Sequence, residues 1–201
     1  MNKIAIIIPS RLNAQRLPNK PLKLINNKEM ILHVYDLAIR AKAGEVYVAT
    51  PDQQIIDIVK NSGGNAIKTS GNHETGTDRI FEVFKETLNS EPNIIINLQG
   101  DMPNLESQAI SNLVSYMSKN KCDIGTLASD FNSKVEINNP NVVKVAVKEK
   151  LSNNIFLNAL DFFRTKTKST YNLYHHIGIY AFTNKALIRY VSLKRTKLEL
   201  E

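Results

Sequence analysis

Short, continuously apolar runs alternate along this chain with longer amphipathic ones. "KIAIIIP" carries apolar residues from Ile4 to Ile8 with no polar alternation, the pattern of a strand covered on both faces. "EMILHVYDLAIRAKA" then places Ile31, Val34, Tyr35, Ala38 and Ile39 at helical spacing. "EVYVAT" reads as the next strand, and Asp52 stands as the cap of a helix "QQIIDIVKNSG" closed by Gly63 and Gly64. The short strand "NAIKT" leads to a helix "DRIFEVFKETLN" that begins at Thr77 or Asp78, with Ile80, Phe81, Phe84 and Leu88 on one face. "NIIINL" is a second fully apolar strand. A helix "LESQAISNLVSYMSKN", the strands "CDIGTLAS", "NVVKVAVKE" and "LYHHIGIYAFT", and a short helix "NKALIRYVS" complete the pattern. Strand–helix alternation of this kind predicts an α/β fold with a mostly parallel, doubly wound sheet. The segment 150–174 has little periodicity and is rich in Lys and Thr, which predicts an insertion or a subdomain edge.

Composition narrows the class. A chain of 201 residues, 42% hydrophobic and 22% charged, fits one domain of ordinary size with a small lobe attached. The net charge of +7 points to an anionic partner, and nucleic acid, an acidic lipid surface and a polyphosphate all satisfy that description. Nucleic acid is not expected, because neither aromatic–basic interleaving nor a basic recognition helix is present. The single cysteine, Cys122, excludes a disulfide framework and a cysteine-based metal site. With no signal-peptide pattern and no run near the roughly 20 apolar residues of a membrane span, the expectation is a soluble cytoplasmic protein that does not enter the membrane.

Chemistry concentrates where the two fully apolar strands end. The first opens into "PSRLNAQRLPNKPL", with Arg11, Arg16 and Lys20 at spacings of five and four residues. Such a loop can wrap a chain of phosphates, each cation meeting a different group, and its prolines restrict the backbone before binding. The second ends in "QGDMP", where Asp101 can bind a Mg²⁺ ion that bridges phosphate oxygens. Ligands of open parallel sheets bind at the carboxyl ends of the strands, so both sets are expected at one crevice. Taken singly, solvated surface cations would explain the first set about equally well, and an ordinary turn aspartate would explain the second better.

"IIPSRLNAQRLPNKPL", "HETGTDRI", "INLQGDMP", "NPNVVKV" and "HHIGIYAF", in this order, resemble the motifs of the 3-deoxy-manno-octulosonate cytidylyltransferase (CMP-Kdo synthetase) family. The first motif is shared with sialic-acid cytidylyltransferases, and the later ones separate this family from those relatives. The resemblance implies a nucleotide-diphospho-sugar transferase (glycosyltransferase-A-like) fold and a Mg²⁺-dependent transfer of the cytidylyl group of CTP to Kdo for lipopolysaccharide biosynthesis. Pyrophosphate would be the second product. It implies that Arg11 and Lys20 meet the triphosphate, with Ser10 and Arg16 in support, and that Asp101 holds the metal. Thr75, Gly76, Thr77 and Arg79 would form the cytosine side of the site. Gln99 would stand between nucleotide and sugar, with Arg164, His176, Tyr180 and Glu199 on the sugar side. Lys144 matches the motif without an assigned role.

A smaller antiparallel lobe, 150–190, is expected to form the sugar side and, by the same resemblance, a homodimer contact. The chain also departs from the family pattern. Met102 stands where an acid is usual, Pro51 replaces an Asp, and the sequence stops at "TKLELE", before the region of a second acidic metal ligand. A truncated form that binds nucleotide with little turnover is the alternative expectation.

Overall fold

The computed structural model describes residues 3–13, 17–152, 155–165 and 170–196. Strand β1 (Ile4–Pro9) has four fully enclosed residues, Ala5 to Ile8, as its uninterrupted apolar run predicts. A 3₁₀ turn (Lys20–Leu22) and a two-residue hairpin, β2 (Leu24–Ile25) with β3 (Lys28–Glu29), lead into α1 (Met30–Arg40). Strand β4 (Glu45–Thr50), α2 (Gln53–Asn61), β5 (Ala66–Lys68) and α3 (Gly76–Glu82) follow, and α3 runs on into a π-helical turn at Val83–Thr87. Then come β6 (Ile94–Asn97), α4 (Ser107–Lys119), β7 (Ile124–Ser129), α5 (Lys134–Asn138), β8 (Lys144–Val147), β9 (Ala159–Phe163), β10 (Asn172–Thr183) and α6 (Asn184–Ser192).

The larger of two compact units comprises residues up to Gly125 and from Tyr180 onward. Its strands lie in the order β5–β4–β1–β6, all parallel, with the end of β10 (Tyr180–Thr183) added antiparallel to β6. Chain order reverses at β1, whose neighbours are β4 on one side and β6 on the other. That reversal opens a crevice beyond the carboxyl ends of the strands. Ile80, Val83 and Phe84 pack with Ile7, Ile95, Phe182 and Leu187 in one core cluster.

Details of the helices depart from the periodicity. Ile39 is 50% exposed, while Leu37 takes the buried place, so the apolar stripe of α1 is centred on Ile31, Val34 and Ala38. Helix α3 starts at Gly76 rather than at Thr77 or Asp78. Thr75 is its cap, because the Thr75 hydroxyl accepts from the Asp78 N–H while Asp78 takes the Thr75 N–H in return. Asp52 does precede α2, yet its side chain makes no capping bond and serves another segment.

The smaller unit spans Thr126–Ile179, whereas sequence reading placed a lobe at 150–190. It starts earlier because β8 pairs antiparallel with both β10 and β9, and it stops earlier because α6 packs on α3, with Leu187 in the larger unit's core. Strand β9, which the weak periodicity of 150–174 did not predict, is the edge strand of this unit. Val145, Val147 and Tyr174 form its buried centre.

Candidate active site

Three local structures of the larger unit meet at the carboxyl end of its sheet. Strand β1 delivers Pro9, Ser10 and Arg11, β6 delivers Gln99 through Leu98, and the turn before α3 delivers His73 to Gly76. Together with Arg79 these residues line a cavity of about 190 Å³. Gly76 is favoured by contact: a Cβ there would lie 3.0 Å from Pro9 Cγ, tight enough that the proline ring would have to give by a few tenths of an ångström. The α3 turn is therefore seated directly against the end of β1.

The electrostatics of this cavity favour an anion. Arg79 is buried, with 3% of its surface exposed, and its Nη1 donates to Thr69 Oγ1 and to the Ser70 carbonyl. Burial, and then the Arg11 guanidinium facing the same cavity, push the Arg79 pKa below its ordinary value. The nearby carboxylates do not pair with it. Glu82 accepts from His73 Nε2 and from the Ser70 N–H, and Asp52 accepts from the Leu12 N–H at 2.8 Å. Two cations thus line one enclosed space with like-charge repulsion between them, a condition a polyanion relieves. Ser10 Oγ is buried here and has no hydrogen-bond partner among the described residues, an uncommon state for a buried hydroxyl and one that a ligand oxygen would satisfy.

Beside the cavity, Lys20 Nζ lies 2.6 Å from Asp101 Oδ2, so the loop after β1 and the loop after β6 do meet at one crevice. Among the described residues, no three His, Cys, Asp or Glu side chains form a closed metal cage. Mg²⁺ does not need one, since it keeps several waters and takes one or two carboxylates together with substrate phosphates. Asp101, held at the crevice by a phosphate-loop lysine, fits that donor pattern.

Gln99 is tied to a further predicted residue, Thr77, behind the cavity wall, and the remaining ones lie elsewhere. Thr77 Oγ1 accepts from Asn97 Nδ2 (3.2 Å), and Gln99 Nε2 donates to Asn97 Oδ1 (3.2 Å). The buried Asn97, the lone polar residue in "IIIN", thereby links Thr77 to Gln99, a role that no periodicity announced. Tyr180 sits half-buried at the end of β10 in the larger unit, where burial pushes its hydroxyl pKa up. Arg164 and His176 belong to the smaller unit. Arg164 is exposed and its carbonyl accepts from Lys144 Nζ at 2.7 Å. His176 is buried. Thr126 commits its hydroxyl proton to the Ile179 carbonyl (2.7 Å) and so accepts from His176 Nε2–H (3.0 Å), while burial drives the imidazole pKa down to about 4. Arg16 and Glu199 lie outside the described residues. His73 and Glu74, which sequence reading did not single out, line the cavity, and their position inside the quoted "HETGTDR" was the available signal.

A doubly wound sheet with an arginine and a lysine after the strand at its switch point, and an aspartate on the facing loop, is an arrangement suited to binding a nucleotide. A family model described as cytidylyltransferase matches residues 5–201. The 3-deoxy-manno-octulosonate cytidylyltransferase of Brucella ovis is 41% identical over 207 residues, which cover 98% of this chain and 81% of that protein. The solved structure of a CMP:2-keto-3-deoxy-manno-octonic acid synthetase complexed with CTP superposes with a TM-score of 0.87 at 35% identity, over 98% of this chain and 81% of that one. A cytidylyltransferase from Leptospira borgpetersenii shares the fold, with a TM-score of 0.64 at 19% identity, over 99% of this chain and 68% of its own. The chain belongs to the cytidylyltransferase family and, within it, to the 3-deoxy-manno-octulosonate cytidylyltransferases.

Proposed function

We propose that this chain transfers the cytidylyl group of CTP to 3-deoxy-D-manno-octulosonate, giving CMP-Kdo and pyrophosphate for lipopolysaccharide biosynthesis in the cytoplasm. The observation that carries the reading is the convergence of Arg11, Arg79 and the unpartnered Ser10 hydroxyl on one cavity of the larger unit, beside the Lys20–Asp101 contact. A hydroxyl of the acid sugar forms the new bond to the α-phosphorus, and the bond from that phosphorus to the β-phosphate oxygen breaks. Negative charge grows on the α-phosphoryl oxygens and on the departing pyrophosphate. Arg11 and Lys20 are preplaced to stabilise it, so little reorganisation is needed as charge develops. The Thr75–Gly76 turn brings its backbone to the cytosine edge, and Arg79 braces that side while adding positive potential. Arg16 adds a further loop cation. Gln99, anchored by Asn97, stands between base and sugar. On the sugar side this reading assigns Arg164, His176, Tyr180 and Glu199 to the acid sugar's carboxylate and hydroxyls.

Asp101 would hold Mg²⁺, which acts as a Lewis acid on the phosphates and offsets their charge. A homodimer belongs to the same reading. The edge strand β9 leaves Leu160 at 48% and Phe162 at 43% exposure, an apolar strand edge suited to pairing with a second copy. The direct test is pyrophosphate release by this chain from CTP, Kdo and Mg²⁺, with Asp101→Asn as control. Wild-type release that Asp101→Asn abolishes, with the melting temperature kept within a few degrees, is the expected result. CTP binding without release would refute turnover, and full activity in Asp101→Asn would remove the metal assignment.

A further inference from the structure

We propose that Arg195, in the segment after α6, is a positioning residue for the nucleotide pocket: its guanidinium fixes the Asp78 carboxylate that holds the Thr75–Gly76 turn in place. The inference rests on the reading of this pocket as the CTP site.

One carboxylate oxygen carries the arrangement. Asp78 Oδ2 accepts from the Thr75 N–H (3.0 Å), from the Thr75 hydroxyl (2.7 Å) and from Arg195 Nη2 (2.9 Å). The first two bonds are the local capping box of α3. The third comes from 117 residues away along the chain. The cap needs no such partner, because the reciprocal Thr75–Asp78 exchange is complete without it. What Arg195 adds is orientation: a carboxylate held from two sides cannot rotate away from Thr75.

The geometry gives that restraint a consequence at the cavity. Thr75 and Gly76 line it, and Gly76 is seated so closely on Pro9 that an added methyl would press on the proline ring. Small rotations of the turn therefore reshape the wall that faces the base. Arg195 Nη1 also pairs with Glu74, the single acid lining a cavity otherwise faced by Arg11 and Arg79. The Glu74 side chain is 72% exposed, whereas the Asp78 and Arg195 side chains are each 29% exposed. Solvent screens the outer pair strongly and the inner pair less, so the inner contact carries the effect.

A positioning role and a simple field effect differ in what they do to two ligands. A distant charge attracts any polyphosphate, whereas the turn meets only the base end of CTP. The experiment is calorimetric titration of the full chain with CTP and with inorganic tripolyphosphate, for wild type, Arg195→Ala, Arg195→Lys and Asp78→Asn. Arg195→Ala is expected to weaken CTP binding about tenfold, the scale of one charge-assisted hydrogen bond. Tripolyphosphate binding should stay within about twofold, as for a screened surface charge. Arg195→Lys should fall between, since an ammonium keeps the charge but cannot span both carboxylates. Asp78→Asn should reproduce the CTP-selective loss, and joining it to Arg195→Ala should add nothing further, because both act through one contact. Melting curves establish that each variant is folded. Equal weakening for both ligands, or unchanged CTP affinity, would overturn the proposal. Failure of the wild-type chain to bind CTP at all would instead bring down the pocket assignment, and this inference with it.

Discussion

Two buried cations, one in each unit, show opposite ways of enclosing charge. Lys144 in the smaller unit is fully enclosed, and its ammonium donates to the carbonyls of Asn139 (2.6 Å), Val142 (2.8 Å) and Arg164 (2.7 Å). Its three protons have three acceptors, nothing is left for a ligand, and burial lowers its pKa without a counter-charge. Arg79 in the larger unit is nearly as enclosed, but its bonds to Thr69 and Ser70 both come from Nη1, and Arg11 faces the same cavity. The first cation is a staple between a turn and an edge strand. The second belongs to a cavity that it shares with Arg11, a setting suited to an anion. A buried cation is thus a sign of a site where its partners are incomplete, not merely where it is buried.

The largest expected effect lies on the incomplete side. Arg11→Ala should raise the barrier for cytidylyl transfer by about 4 kcal/mol at most, and by at least about 2, from loss of one preplaced charge. Lys20→Ala should fall in the same range. The measurement is kcat/KM for CTP, with the melting temperature as a check that the fold is intact. Unchanged kcat/KM in either variant would count against the phosphate-loop role and would erase the contrast with Lys144.

A smaller effect, of a different kind, is expected on the complete side. Lys144→Met removes the ammonium and leaves three enclosed carbonyls without donors, which should cost about 3 kcal/mol of stability. Denaturant unfolding reads the loss. CTP affinity of the folded protein should not change, because every bond that is broken lies within the smaller unit. A variant that kept its stability and lost CTP affinity would reverse the assignment of the two cations.

The difference also explains what was legible in the sequence. Strands β1 and β6 announce themselves because burial on both faces requires unbroken apolar runs, and the polar clusters that end them mark the crevice. The α6 boundaries were equally plain, since Thr183 caps the helix with its own hydroxyl and Ser192 ends it. Long-range polar contacts were not legible. Asp52 has the residue type and place of a helix cap, yet it holds the Leu12 N–H beside the phosphate loop. Nothing in local spacing reveals an acceptor 40 residues away. The same holds for Arg195 on Asp78 and for the carbonyl cage around Lys144. The start of α3 was misplaced because Thr75 and Thr77 are equally good caps by type, and only the reciprocal bond with Asp78 decides between them.

The smallest expected effect separates structure from catalysis in the smaller unit. His176 is held neutral in the fold, with a pKa of about 4 against an ordinary value of 6.5. Between these values the unfolded chain takes up a proton that the folded imidazole refuses, so the unfolded state binds more protons and stability rises with pH. This contribution is fully present above pH 6.5, is lost progressively as the pH falls to about 4, and changes no further below that. A shift of this size corresponds to about 2 kcal/mol once partial solvent screening is allowed for. In His176→Gln, an uncharged side chain that can still donate to Thr126, the difference in unfolding free energy between pH 7 and pH 4 should shrink by that amount. CTP binding at pH 7 should be unaltered, since His176 belongs to the smaller unit and is not among the residues that line the cavity. The acid sugar gives the opposing readout: if His176 contacts it, the same variant raises KM for Kdo while KM for CTP stays put. An unchanged acid profile together with a raised KM for CTP would place His176 with Arg79 among the groups that wait for the nucleotide, and the division between staple and site would no longer follow the two units.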